Sequence, residues 1–247
     1  MESKAAELPT LAPPTDERKH TTQPIVTGTS IVAIKYADGV MLAGDTLGSY
    51  GSLARFRDLE RIRKVGEGTL VAAGGEYSDF QKLCEMLEEL VLEEVCIDDG
   101  ATRDASEFHA YISRVFYNRR NKMNPLWNAV VVAGHKGKDK TPFLGTVDHI
   151  GTSYTDDFIV TGFGHHLALP IIRSRWRADL TEAEARTLVE DCMRVCYYRD
   201  CRTINKIQLA KVTGEGVAIS APFAMETKWD YKSFVDPKAG AEFGGSW

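Results

Sequence analysis

Thr29 and Asp45 are the residues of this chain whose types and spacing could do chemistry together. The run Thr29 to Tyr36 (TSIVAIKY) reads as a strand, Ala37-Asp38-Gly39 as a tight turn and Val40 to Asp45 (VMLAGD) as a second strand. Such a hairpin is expected to bring the Thr29 hydroxyl beside the Asp45 carboxylate. A threonine that opens a chain can attack a carbonyl, because its own free α-amine, with a pKa near neutrality, accepts the hydroxyl proton. A buried lysine nearby completes a charge network of that kind. Here Gly28 precedes Thr29, and unless that bond is cut the Thr29 nitrogen is an amide that cannot act as a base. The cation that the sequence offers is Arg61. Lysine can lose its proton when desolvated, whereas a guanidinium keeps its charge and presents a larger planar fork, so the exchange is not conservative.

These residues need a scaffold. After the opening hairpin, Gly48-Ser49-Tyr50-Gly51-Ser52 is rich in glycine but lacks both the lysine of a phosphate loop and the G-x-G-x-x-G spacing, so it reads as a plain loop. Arg61 to Val65, a Gly66-Glu67-Gly68 turn and Thr69 to Ala73 form a second hairpin that ends in Gly74-Gly75. From Tyr77 to Cys96, Phe80, Leu83, Leu87, Leu90 and Val91 recur at helical spacing, with Glu85, Glu88, Glu89 and Glu93 on other faces. That pattern predicts an amphipathic helix with a solvated acidic side. A second helix is predicted over Ala105 to Asn121, with Phe108, Ile112, Val115 and Phe116 inward and Asn124-Pro125 as its stop. Strands follow at Asn128 to Gly134 and Pro142 to Asp148, then helical segments at about His165 to Arg177 and Thr181 to Tyr198. The last of these opens on a capping box, Thr181-Glu182-Ala183-Glu184. Lys206 to Val212 and Val217 to Ile219 close the chain as strands. This order suits an α/β (α+β) fold of two antiparallel sheets packed together with helices on both outer sides, a four-layer α-β-β-α sandwich.

At 247 residues, a single domain of this kind can bury a large core. The net charge of -5 and pI near 5.7 leave no basic footprint for nucleic acid, so no such partner is expected. Arg61-Arg63-Lys64 and Arg119-Arg120-Lys122 read as a strand border and a helix C-terminus. The five cysteines, Cys84, Cys96, Cys192, Cys196 and Cys201, form no C-x-x-C pair, and several fall on apolar helix faces. Reduced, buried thiols in a protein of the cytoplasm or nucleus are expected from that, and none has a histidine placed to make it a nucleophile. No apolar run approaches the roughly 18 residues of a membrane span. The first twenty residues are polar, with Pro9, Pro13 and Pro14 and no apolar stretch of a secretory signal, so they read as a disordered or removable leader. His165 and His166 stand side by side at a helix start, point in different directions and have no spaced acidic or cysteine partner, so no metal is expected. No cofactor is expected either. Trp127 and Trp229 read as core or subunit-contact packing.

The segments TGTS (Thr27 to Ser30), LGSYGSLARF (Leu47 to Phe56), KMNPLWN (Lys122 to Asn128) and MRVCYYRD (Met193 to Asp200) resemble the β-type subunits of the 20S proteasome. These lie within the N-terminal nucleophile hydrolases, and the resemblance runs from roughly Thr22 to Asp230 and is strongest to the non-catalytic members. It implies that the catalytic threonine of active relatives falls at Thr29, its supporting aspartate at Asp45 and the lysine at Arg61. The backbone amide that donates to the oxyanion falls at Gly75, the serine of a G-S-G element at Phe163, a second aspartate at Asp200 and a second serine at Thr203. The lysine and one serine are therefore replaced, and these seven positions are expected to be vestigial, none of them catalytic. A charge-assisted hydrogen bond from Arg61 to Asp45 is a hypothesis that the positions raise.

The resemblance also implies a leader over residues 1–21 that is cut near Thr21 or Thr22, a β-subunit domain over 22–229 and a C-terminal extension over 230–247 that can act as an arm to the opposite ring. It implies a structural subunit in the machinery of ubiquitin- and ATP-dependent protein degradation. Its partners would be the other β subunits of a seven-membered ring, the α ring and the opposite β ring, with no membrane. Two rivals remain at this stage. One is an active threonine endopeptidase freed by cleavage at Gly28-Thr29, and the other is a free-standing metal or thiol hydrolase.

Overall fold

A computed structural model describes residues 23–137 and 139–230. The leader expected over 1–21 with its cut near Thr21 or Thr22, and residues 231–247 of the expected extension, lie outside the described residues.

The chain opens with β1 (Val26–Gly28), β2 (Ile31–Tyr36) and β3 (Gly39–Asp45), followed by β4 (Gly48–Tyr50), β5 (Leu53–Phe56), β6 (Ile62–Val65) and β7 (Thr69–Glu76). Two helices follow, α1 (Tyr77–Ile97) and α2 (Ala105–Asn121), then β8 (Asn128–Lys136), β9 (Thr141–Val147), β10 (Ser153–Thr155) and β11 (Phe158–Val160). The helices α3 (Gly164–Leu167), α4 (Leu169–Arg175) and α5 (Glu182–Arg199) precede β12 (Lys206–Thr213), β13 (Gly216–Ile219) and β14 (Phe223–Ala224).

These strands make two antiparallel sheets. The first runs β10-β9-β8-β7-β1-β4-β5 with β6 also on β7, and the second runs β11-β2-β3-β12-β13 with β14 on β12. The alternation of side chains along β2 shows why the sheets stack. Ile31 and Ala33 point to the layer between the sheets, where they meet Leu42, Leu70 and Val131. Val32, Ile34 and Tyr36 point the other way, to Leu188, Cys192 and Met193 of α5. On the first sheet Val71, Ala73, Val130 and Val132 face Phe80, Leu87, Phe108 and Ile112 of α1 and α2. Central strands covered on both sides read as unbroken apolar runs, and each fully buried Val, Leu or Ile contributes about 1.5–3 kcal/mol. The expected sandwich of α-β-β-α layers is the observed one.

Several local expectations need correction. The strand read from Thr29 starts at Ile31, because Val26–Gly28 forms a separate strand in the other sheet and Thr29-Ser30 is the passage between sheets. The stretch Gly48 to Ser52, read as a loop, is half of the β4–β5 hairpin, with Gly51 at φ +59° in its turn. The single helix read over His165 to Arg177 is divided at Ala168, where Pro170 near the start of α4 opens a new helix. The capping box at Thr181 is present: Glu184 donates its N–H to Thr181 Oγ1, and its carboxylate accepts the Thr181 N–H at 2.9 Å.

Candidate functional site

The site is built where β1 hands the chain to β2. Val26–Gly28 is paired on one side with β4 and on the other with β7, Gly28 lying opposite Gly75. Two backbone N–H groups before it, those of Ile25 and Val26, donate to the Glu76 carboxylate. Thr29 follows, half-buried, and its Oγ1 donates to Asp200 Oδ2 at 2.6 Å. The expected partner was Asp45. The structure corrects that, because residues 29 and 30 leave the hairpin register before reaching Asp45, and α5 ends so as to present Asp200 instead.

Arg61 fills the space between Thr29 and Asp45. It is 2% exposed, Asp45 is 1% exposed, and the two form an ion pair. All five N–H donors of the guanidinium meet an oxygen: Nε meets Ala73 O, Nη1 meets Asp45 O and Oδ1, and Nη2 meets Thr29 O at 2.6 Å and Ser30 O at 3.2 Å. The hypothesis of an Arg61–Asp45 hydrogen bond is correct, and Arg61 stands, as read, at a strand border, immediately before β6, where it is buried. An ammonium has three donors on one atom and could not bridge these five positions. Gly28 leaves the room: a Cβ there would overlap Arg61 Nε and stand 2.8 Å from Cζ. Burial pushes the Asp45 carboxyl up to about 6, against the pull of Arg61 and of the Ile204 and Leu47 N–H groups. Burial also pulls the Arg61 guanidinium down, opposed by Asp45. The lone-pair chemistry a neutral lysine could offer is therefore replaced by a saturated cation.

Asp200 is buried and also accepts from Thr203 Oγ1 at 3.1 Å and from the Arg202 N–H at 2.9 Å. Thr29, Asp200 and Thr203 thus come together, as do Arg61 and Asp45. Gly75 sits at φ +94° where a Cβ would run into the Trp127 carbonyl. Phe163 stands apart from this network, about half exposed, with its ring edge-on to His166. A cavity of about 320 Å³ opens over Thr29, lined among others by Gly75, Trp127, His149 and Arg202.

Some residues of the site were not foreseen. Ser30 Oγ accepts the Gly164 N–H at 2.7 Å, tying the sheet passage to α3. Asn128 Nδ2 bridges Gly74 O and Glu76 O. A three-residue strand such as β1 is too short to show periodicity, and only the run of a polar anchor (Glu76) behind two glycines hints at it. Elsewhere, Cys84, Cys192 and Cys196 are buried, and burial pushes each thiol up to about 12, which makes them poor nucleophiles; Cys96 and Cys201 are exposed. The rings of His165 and His166 stand at 89° to each other. The Trp127 ring lies against that of His149 at a tilt of 37°, and Trp229 meets Tyr197 and Tyr198 edge-on. Among the described residues no helix is long and apolar enough to cross a membrane.

Two helix-covered antiparallel sheets with a threonine at the passage between them define the N-terminal nucleophile hydrolase fold. Residues 25–212 match the family model described as proteasome subunit. The chain is 51% identical over 233 residues to proteasome subunit beta type-4 of Arabidopsis thaliana, covering 94% of this chain and 93% of that protein. It is 45% identical to proteasome subunit beta type-4 of Xenopus laevis, covering 88% and 90%, and 40% identical to proteasome subunit beta type-7 of Saccharomyces cerevisiae, covering 86% and 84%. The chain belongs to the proteasome subunit family, as a β-type member.

Proposed function

We propose that this chain is a structural, non-catalytic β subunit of the 20S proteasome core, needed to complete a β ring and the chamber in which other subunits cut proteins. The observation that carries this reading is the place of β1. Val26–Gly28 is the strand that joins β4 and β5 to β7, so freeing the Thr29 amine by cutting Gly28-Thr29 would remove the link between two parts of one sheet. While that bond stands, Thr29 has no amine to act as base, and Arg61, held in five hydrogen bonds, offers none. Thr29, Asp45, Arg61, Gly75, Phe163, Asp200 and Thr203 are then vestiges whose hydrogen bonds now serve the fold. The assignment of partners follows the same reading: neighbouring β subunits, the α ring and the opposite β ring, in the cytoplasm and nucleus. A leader over 1–21 is removed, and residues 230–247 reach the opposite ring.

Intact-mass measurement and N-terminal sequencing of the chain isolated from assembled particles test the reading. A mature chain that begins near Thr22 and keeps β1 is the expected result. A chain that begins at Thr29 would overturn it and restore the threonine endopeptidase.

A further inference from the structure

We propose that Glu76 is a positioning residue for the cutting of this chain: its carboxylate clamps the entry of β1, so that an endopeptidase of another chain removes the leader only upstream of Ile25. Glu76 occupies the N-cap position of α1, where a side-chain oxygen ordinarily accepts an N–H of the first turn, yet it makes no such bond. It reaches to the start of the neighbouring strand instead. Oε2 accepts the N–H groups of Ile25 and, at 3.1 Å, of Val26, while Oε1 accepts the Ser78 hydroxyl at 3.1 Å. Hydrogen bonds to an ionised carboxylate are the strong ones, and this carboxylate belongs to a buried residue. Its backbone is fixed as well, since Trp127 O accepts the Glu76 N–H at 2.9 Å and Asn128 Nδ2 donates to the Glu76 carbonyl at 2.8 Å.

The clamp draws a boundary along the chain. A peptidase takes its substrate as an extended segment whose backbone groups pair with the enzyme, so a segment already paired at home must first open. Val26 and Thr27 are paired with β4, and Thr27 and Gly28 with β7. A strand of three residues at the start of a fold frays easily on its own, and the Glu76 carboxylate holds it at the end where fraying would begin. Gln23 and Pro24, just upstream, are exposed and make no hydrogen bond among the described residues. The stretch open to hydrolysis therefore ends at Pro24. There water adds across one peptide bond, leaving a carboxylate on the leader and an amine on the shortened chain. The inference rests on the structural-subunit reading, in which the leader is removed and β1 is kept.

The test exposes the full chain to proteinase K and reads the N-terminus of the limit product by sequencing and intact mass. The parent should stop at a product that begins no later than Ile25. In Glu76→Ala most of the product should begin at Val26 or beyond, with the circular dichroism spectrum unchanged. Hydrogen exchange at the Ile25 and Val26 amides should quicken roughly tenfold, while the amides in the middle of β7 keep the parent's rates. Glu76→Asp keeps the charge but draws the oxygens back by one methylene; it should move the limit inward too, and it reads the effect if Glu76→Ala does not fold. A limit unchanged in the folded variants would overturn the inference whatever the exchange rates show, as would a parent that is itself cut between Ile25 and Gly28. A chain isolated from assembled particles that begins at Thr29 would instead overturn the structural-subunit reading, whatever proteinase K does to the full chain.

Discussion

Arg61 behaves as a structural bolt, because burying a cation is tolerable only when every donor and the charge itself are matched. Its geometry makes a partner of Gly28, which has no side chain to contest the guanidinium. Gly28→Ala should therefore destabilise the chain by about 1–3 kcal/mol, the usual range for overpacking against a part that cannot move. In an Arg61→Met background the same glycine change should cost less by roughly 0.5–3 kcal/mol, the range of coupling between residues in contact. Urea unfolding of the four chains reads both numbers, and additive penalties would show that the guanidinium is not what Gly28 makes room for. The loss of lysine at Arg61 was legible in the sequence, whereas its tie to Asp45 was a hypothesis raised by the matched positions that only the folded geometry could answer. The Thr29–Asp200 bond was legible only as two positions of a shared pattern. Nothing local to residues 29 and 200 announces a contact across a sequence separation of 171.

Helices were easier to read than strands for a physical reason. Over 17 residues α2 repeats its apolar face several times, and its limits, Ala105 and Asn121, are those the periodicity predicts. The three residues of β1, β10 or β11 allow no repeat, so neighbours across the sheet decide their state. The start of α2 carries a cap that the pattern did not reveal. Asp104 accepts the N–H groups of Ser106 and Glu107, while the Glu107 carboxylate accepts the Asp104 N–H at 2.8 Å. Burial alone would raise the Asp104 carboxyl, but the Ser106 hydroxyl and the N–H groups of Gly137, Glu107 and Ser106 outweigh it and hold it below the usual carboxylate range. A carboxyl lowered in the fold stabilises the fold above its unfolded value near 4 and loses that contribution as pH falls through the folded value. Asp104→Ala should cost about 1 kcal/mol at neutral pH. The gap between variant and parent in thermal melts should close on acidification below pH ~4. A gap that stays constant into acid would mean that the charge of Asp104 contributes nothing.

At the scale of the molecule, the layered architecture followed from the order of elements, because amphipathic helices on either side of fully apolar strands have few ways to pack. The end of the described chain did not follow. Trp229, read as core or subunit-contact packing, has its ring 5.0 Å from that of Tyr198, while the Lys228 N–H donates to Tyr198 Oη at 2.7 Å and Arg194 holds the Glu226 carbonyl. Residues 225–229 thus run back along α5, anchored by buried Met225. Trp229→Ala should release this segment, seen as faster hydrogen exchange at Glu226 to Lys228 with α5 unchanged; equal exchange rates would show that the aromatic contact does not hold it. The pairing of β3 with β12 also bears on the order in which the protein is made. Asp45 lies opposite Ile207 and takes the N–H of Ile204, so the buried charge near the start of the chain stays open to water until some 160 further residues have been synthesised. A nascent chain can form the β2–β3 hairpin early, but it cannot close the site around Arg61 until its last strands leave the ribosome. Contacts this distant in sequence are slow to form, and the exposed second sheet is the part of the newborn chain that most needs shielding from aggregation.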